Sequence, residues 1–263
     1  MAEPRRVVLA HGGAGSQNEY QDGTEAACRQ ALDLLRSGAP VLRAACGAVV
    51  TLENDGRFNA GIGSRRRSDG SVQMDAACMD SQGHFGAVAV VEGYKNPVLI
   101  AQAVTILPFH LLAGRGAAAF AHESDMDPFD PGLGTPGARA SDTVGCVAFD
   151  GEHFAAALST GGTGGTMPGR VGDVPLVGCG LYAGPYGAVA ATGNGEAIML
   201  HLTAFRAYQM LEEGMGPHFV LEEVLGWFAE DEDIGLLLVS RKDHAAGSNR
   251  SMAWSVLETG SGD

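Results

Sequence analysis

The sequence predicts an α+β layered fold in which antiparallel sheets are covered by helices. Two kinds of run predict it: short apolar or alternating runs suited to strands, and longer runs with helical spacing. Their order is the third observation, because strands and helices come in blocks with hairpins and not in strict alternation. The chain has 263 residues, 45% of them apolar. That supports a full core and one domain, interrupted near 123–142. Its 39 glycines are roughly twice the usual share and are not periodic, which points to tight turns and close backbone approaches.

Residues 5–10 read as a strand entering the turn His11-Gly12-Gly13-Ala14-Gly15. Residues 24–37 have helical spacing, with Asp22 or Thr24 as the cap and Gly38 just beyond. Residues 40–53 read as a second helix opened by Pro40. A turn-rich loop covers 59–70, and 71–79 and 85–92 form a hairpin. Helices are expected over 96–105 and 110–122. Residues 123–141 hold three prolines and three glycines without apolar period, and read as a linker or mobile loop. Strands follow at 143–150 and 153–159, then a glycine-rich loop over 161–173. Residues 176–182 and 187–192 look extended, 196–213 and 218–230 helical, and 234–240 and 252–257 extended again.

The formal net charge of 17 − 31 = −14 argues against nucleic acid and anionic membranes as partners. No run approaches the ~20 apolar residues of a membrane helix, and the opening Met-Ala-Glu-Pro-Arg-Arg reads as no secretory signal. Cys28, Cys46, Cys78, Cys146 and Cys179 are odd in number and lie mostly in apolar runs. They read as reduced core thiols of a cytoplasmic protein. The eight histidines show no metal-binding spacing, and no glycine loop has the phosphate-cradling pattern.

Asp142-Thr143 marks the place where the linker ends and a strand begins. Were that bond to break, Thr143 would become an N-terminus at the tip of a rigid strand. Such a threonine carries both nucleophile and base, its hydroxyl and its own α-amine. A free α-amine titrates near 7.7–8.0, close to where a general base works best. The alternative is a β-branched residue opening a strand.

The surrounding motifs weigh against that alternative. Upstream lie His11–Gly15, Phe58-Asn59-Ala60-Gly61-Ile62-Gly63 and Met74-Asp75-Ala76-Ala77. Downstream come Ser159-Thr160-Gly161-Gly162, Pro168-Gly169-Arg170-Val171-Gly172-Asp173 and Ala191-Thr192-Gly193-Asn194-Gly195-Glu196. In this order and spacing they resemble the plant-type asparaginase and isoaspartyl peptidase family, whose relatives include glycosylasparaginase. The resemblance runs from residue 7 to about 255.

It implies a four-layer αββα sandwich of the N-terminal-nucleophile hydrolase type, made as an inactive precursor. Autocleavage between Asp142 and Thr143 would give an α-subunit, 1–142, and a β-subunit, 143–263, and two αβ units would pair into a homodimer. By the same resemblance Thr143 is the nucleophile and Thr160 supports its reactivity. Arg170 holds the substrate α-carboxylate, which suits a guanidinium fork, and Asp173 anchors the α-ammonium. Thr192 and Gly193 form the oxyanion hole, and Asn59 assists near the nucleophile. Leu52, Glu53, Asp55, Phe58, Ala60 and Ile62 match a loop that binds structural sodium through main-chain carbonyls; no cofactor takes part in the chemistry. The implied activity is release of L-aspartate from L-asparagine or β-aspartyl peptides, so the partner is a small molecule or dipeptide.

Three features depart from the family pattern. Arg65-Arg66-Arg67 stands where the stretch is more often mixed or apolar, and reads either as a solvated loop or as a modified active-site rim that recruits acidic substrates. Thr163-Gly164-Gly165-Thr166-Met167 lacks the Asn-Lys often found there. The linker is short, which implies slow or less complete cleavage. The Ala191–Glu196 wording leans toward a glycosylasparaginase-like amidase, the alternative activity, and an uncleaved binding protein is the alternative of a different class.

Overall fold

The computed structural model describes residues 4–130 and 143–260. Its strands are β1 (Arg6–His11), β2 (Met74–Asp80), β3 (Phe85–Val91), β4 (Leu111–Ala113), β5 (Val144–Phe149) and β6 (Phe154–Thr160), then β7 (Leu181–Gly184), β8 (Gly187–Gly193), β9 (Ile234–Ser240), β10 (His244–Ser248) and β11 (Trp254–Thr259). Its helices are α1 (Gln21–Arg36), α2 (Val41–Glu53), α3 (Pro97–Val104), α4 (Gly114–Glu123), α5 (Gly195–His201), α6 (Thr203–Glu212) and α7 (Pro217–Leu225).

One sheet has the order β11-β1-β5-β6-β2-β3-β4, the other β10-β9-β8-β7. All pairings are antiparallel except β3 with β4. Three apolar clusters hold these elements together. In the first, Ala27, Ala31, Ala45, Ala48 and Val49 of α1 and α2 pack on Val8, Cys146 and Ala157 of the larger sheet. In the second, Leu9, Val147 and Leu158 face Leu181, Ala190 and Leu237 of the smaller sheet. In the third, Ala204, Tyr208, Leu211 and Val220 cover Val189, Leu236 and Leu238. The small residues of α2 let that helix lie close to the sheet, where the dispersion gain is greatest.

Local chemistry explains several element ends. α1 stops at Ser37, and Gly38 follows at φ +83°. Its N–H donates to Leu35 O at 3.1 Å, while Ala39 N–H reaches Leu34 O at 3.0 Å. A left-handed residue of this kind is most easily a glycine. Pro40 immediately precedes α2 and Pro97 opens α3, where a missing N–H costs nothing.

Four expectations need correction. The helix expected over 110–122 begins as β4, which pairs with β3 through Ala87 and Leu111; Gly114 at φ +53° then turns the chain into α4. The helix expected over 196–213 breaks at Leu202, which is left-handed at φ 50°. The break frees the first turn of α6, so that Ala204 and Phe205 donate to the carbonyls of Cys179 and Gly178 at 3.0 and 2.9 Å. Residues 176–180 turn where a strand was expected, because Gly178 sits at φ +84° and only Leu181–Gly184 pair as β7. The last strand runs 254–259, two residues later than expected, and β10 had no sequence signal beyond a short mixed run. Of the 123–142 segment, residues to 130 are described; from 131 on, including Asp142, it lies outside the described residues. No helix among the described residues is long and apolar enough to cross a membrane.

The inter-sheet core tests this packing. Phe154 is fully buried and stacks on Phe149 with centroids 4.4 Å apart. Phe154→Ala should lower stability by about 3–5 kcal/mol, read as a shifted midpoint in urea unfolding; a change under 1 kcal/mol would contradict the described packing.

Candidate active site

The site grows from the ends of central strands. β5 lies between β1 and β6, with His11 paired to Gly145 and Ser159 to Val144. Thr143 and Thr160 therefore each stand one residue beyond the Val144–Ser159 pair, at the same edge. β8 of the other sheet ends at Thr192-Gly193. The inter-sheet cluster clamps these edges together, and a narrow cleft opens between them. Thr143, Thr160, Gly162, Thr163, Arg170, Gly172, Asp173, Gly193 and Gly195 line it. Broader grooves exist elsewhere, notably between α6 and α7 around Trp227, but they contain none of this chemistry.

Thr143 is only 5% exposed. The Thr192 hydroxyl is fully buried, accepts from Ala14 N–H at 3.3 Å and donates to Thr143 O at 3.5 Å. One lone pair is thereby occupied and the proton is turned toward residue 143. Gly193 sits at φ +137°, and a Cβ there would collide with the Asp233 carbonyl, so no other residue fits this turn. Asn194 caps α5 by accepting from Ala197 N–H at 3.1 Å, a standard helix start. The Thr160 hydroxyl accepts from Gly162 N–H at 2.9 Å and fixes the turn after β6.

Asn59 is buried and does not line the cleft. Its amide donates to Gly162 O at 2.8 Å and accepts from Arg65 N–H at 3.0 Å, so it braces the Gly161-Gly162 turn from behind. Arg67 does similar work and is not the solvated residue its charge run allowed. It is 3% exposed and donates to Thr166 Oγ1 at 2.9 Å and to Gln73 O at 3.1 Å. A Cβ on Gly162 would lie 2.6 Å from its Nη1. Burial lowers its pKa against the attraction of Asp75.

Asp173 and Arg170 give the cleft its polarity. Asp173 is buried, and its Oδ2 has no hydrogen-bond partner. Burial pushes its pKa up to about 7, against the pull of its own backbone amide and of Arg170. Arg170 reaches across to Glu196 on the first turn of α5, Nε to Oε1 at 2.9 Å and Nη2 to Oε2 at 2.7 Å. Glu196 took no role in the sequence reading. Its signal was its position two residues after the α5 cap, at a helix N-terminus where acids are favoured.

Two further groups were underweighted. His11 is fully buried; its Nδ1 accepts from Gly13 N–H at 3.1 Å, which places the ring proton on Nε2. Burial drives its pKa down to about 3, against the pull of the Thr143 main chain. It is a neutral support beneath the first residue of the strand. Asp75, beside Thr160 in register, accepts from Val90 N–H at 2.8 Å and is pushed up to about 6 by burial.

The 52–63 loop has its acidic side chains committed elsewhere. Glu53 accepts from Val98 N–H at 3.0 Å and from Asn96 at 2.9 Å, and burial raises it to about 7. Asp55 is clasped by Arg57, which also grips Asp22. Of the loop's main-chain oxygens, those of Leu52, Asp55, Phe58 and Ala60 accept from the amides of Asp55, Phe58, Ala60 and Gly63. Those of Glu53, Gly56 and Phe58 crowd so closely on Gly61 and Gly63 that a Cβ at either glycine would collide with them. Among the described residues no group of three or more His, Cys, Asp and Glu could hold a metal.

Asp173 has a stability cost with a definite sign. Folded, it keeps its proton to about pH 7; its ordinary value is 3.8. The folded state therefore binds more protons between those limits, and stability from this group falls as pH rises from about 4 to 7. Asp173→Asn should raise the melting midpoint by about 2–4 °C at pH 8. The gain should shrink by pH 5 in paired calorimetric scans, and a lower midpoint at pH 8 would refute the burial argument.

Comparison with known proteins gives the family. The asparaginase family pattern matches residues 5–136 and 133–261. An isoaspartyl peptidase/L-asparaginase of Danio rerio is 35% identical over 97% of this chain and 93% of its own length. A plant-type L-asparaginase of Pyrobaculum calidifontis is 39% identical over 79% of this chain and 80% of its own. The Homo sapiens isoaspartyl peptidase/L-asparaginase is 32% identical over 97% and 94% respectively. With matches that span both sheets and every residue around the cleft, this chain belongs to the asparaginase family.

Proposed function

We propose that the chain is an autoprocessing threonine hydrolase that releases L-aspartate from L-asparagine and from β-aspartyl peptides. One observation carries the reading: Thr143, at the head of a buried central strand, shares a cleft with Arg170, Asp173 and Gly193, and Thr192 donates to its carbonyl oxygen. The relatives' names describe both substrates.

In the precursor the Thr143 hydroxyl attacks the Asp142 carbonyl carbon, the acyl group moves from nitrogen to oxygen, and water hydrolyses the ester. That leaves a carboxylate on Asp142 and a free amine on Thr143. The amine then takes the hydroxyl proton as the oxygen attacks the substrate side-chain carbonyl. The Thr192 hydroxyl, whose single proton turns to the substrate from its long 3.5 Å contact with the Thr143 carbonyl oxygen, and Gly193 N–H stabilise the oxyanion, a donation worth ~3–4 kcal/mol per donor in comparable sites. The intermediate collapses as the Thr143 ammonium protonates the departing ammonia or peptide amine. Water, deprotonated by the same amine, cleaves the β-aspartyl ester and frees aspartate. Arg170 and Asp173 hold the α-carboxylate and α-ammonium throughout, and Thr160 and Asn59 keep the Gly161-Gly162 turn beside the nucleophile.

Related readings accompany this one. The three apolar clusters support an αββα sandwich, cut on maturation into 1–142 and 143–263. The carbonyls of Leu52, Glu53, Asp55, Phe58, Ala60 and Ile62 would hold a sodium ion that orders their loop and takes no chemical step. Two αβ units form the working dimer. The five buried cysteines, none in a disulfide, support a cytoplasmic location.

Denaturing mass spectrometry of the purified protein should find pieces of 142 and 121 residues. Thr143→Ala should remain one chain and lose at least 10³-fold in turnover; full turnover of L-asparagine by that variant sinks the assignment. A panel of L-asparagine, β-aspartyl dipeptides and glycosylated asparagine separates the peptidase from a glycosylasparaginase-like amidase. The first two should be cleaved faster.

A further inference from the structure

Arg170 has two hydrogen-bonding edges. Glu196 takes the side edge, Nε with Nη2, in a two-pronged pair at 2.9 and 2.7 Å. The end edge, Nη1 with Nη2, lies along the wall of the cleft: a Cβ on Gly172 would sit 3.0 Å from Nη1, and one on Gly195 3.0 Å from Nη2. Both glycines line the cleft. Beyond them lies Asp173, whose Oδ2 is buried and unpartnered, and a Cβ on Gly195 would lie 2.8 Å from its Oδ1.

This arrangement poses an electrostatic problem. A guanidinium and a carboxyl group three residues apart in one sheltered cleft attract each other once the carboxyl ionises, and closing that pair would fill the space meant for a charged amino-acid head. Asp75 adds a second negative charge that draws on Arg170. A counter-anion already seated on the side edge of Arg170 competes with both pulls. Glu196 has the right reach and geometry: its side chain is 62% exposed while that of Arg170 is 17% exposed, so it approaches from the solvent side. The pair holds Glu196 below its ordinary carboxylate range, so it stays ionised.

We propose that Glu196 is a positioning residue that holds Arg170 away from Asp173 with its end edge presented to the substrate α-carboxylate, so that the chain's selectivity for α-amino acid substrates depends on this acid. The proposal rests on the hydrolase reading, and its test separates the two. Compounds lacking only the α-carboxylate make no use of Arg170, so the readout is a ratio. The substrates are L-asparagine and 3-aminopropanamide, its counterpart without that carboxylate. The ligands are L-aspartate and β-alanine, compared by calorimetry.

In Glu196→Gln the ratio of kcat/KM for L-asparagine over 3-aminopropanamide should fall about 10-fold, through KM and not kcat. The preference for L-aspartate over β-alanine should fall to the same degree. Glu196→Asp, which keeps the charge on a shorter arm, should recover part of both. A merely structural role would weaken both members of each pair together and leave the ratios unchanged, which overturns the proposal. So does a rise in either ratio, which would make Glu196 a competitor for Arg170. If the wild-type enzyme hydrolyses nothing, the hydrolase reading fails, and the calorimetric preference still decides the role of Glu196.

Discussion

The cleft depends on the apolar contact between the two sheets. Thr143 stands at the end of a strand in one sheet and Thr192-Gly193 at the end of a strand in the other, and the burial of Leu9, Val147, Leu158, Leu181, Ala190 and Leu237 between them sets their separation, with the Thr192 hydroxyl reaching the Thr143 carbonyl oxygen. Close-packed interiors resist small displacements, which suits a reaction whose donors must already point at the developing charge. Strand pairing supplies the rest of the rigidity. β5 is bonded on both sides, so the strand that carries Thr143 is held by two neighbours, and fully buried His11 pairs with Gly145, two residues further along.

Around that frame the molecule keeps charges where water would be cheaper. Glu53, Asp75 and Asp173 are buried carboxyls raised to about 7, 6 and 7 by desolvation. Glu53 offsets its cost by accepting from the first turn of α3, and Asp75 by accepting from the amide of Val90, a β-branched residue at φ 55°. Oδ2 of Asp75 and Oδ2 of Asp173 are both buried without a partner. A buried acceptor without a donor is expensive in the absence of ligand and becomes useful when a cationic group arrives. The same logic explains the glycines at 162, 172 and 195, where the room a side chain would take is filled by guanidinium and carboxylate atoms.

The arginine run shows how charge misleads when read without packing. Three consecutive cations normally face water, yet Arg67 is buried and clamps the loop after β6 through Thr166. That loop lacks the Asn-Lys of the family pattern, and Arg67 anchors it together with backbone bonds from Ser68 to Thr166 and from Gly165 to Arg66. The exposed carboxylate of Glu196 is the converse case: its surface position conceals a contact with a residue inside the cleft.

Sequence alone determined the block order of strands and helices, the strand that follows residue 143 and the identity of the groups around the cleft. Local spacing and turn chemistry act over a few residues, and the motif order supplied the family resemblance. Tertiary structure decided the rest. It broke the 196–213 helix at Leu202 so that α6 could donate to Gly178 and Cys179, started α4 only after β4 had paired with β3, and turned residues 176–180 at Gly178. It also placed Asn59 and Arg67 behind the cleft, and Glu196 against Arg170, 26 residues away in the chain. Those contacts join positions far apart in sequence, and no local propensity encodes the distance between them until the two sheets have packed.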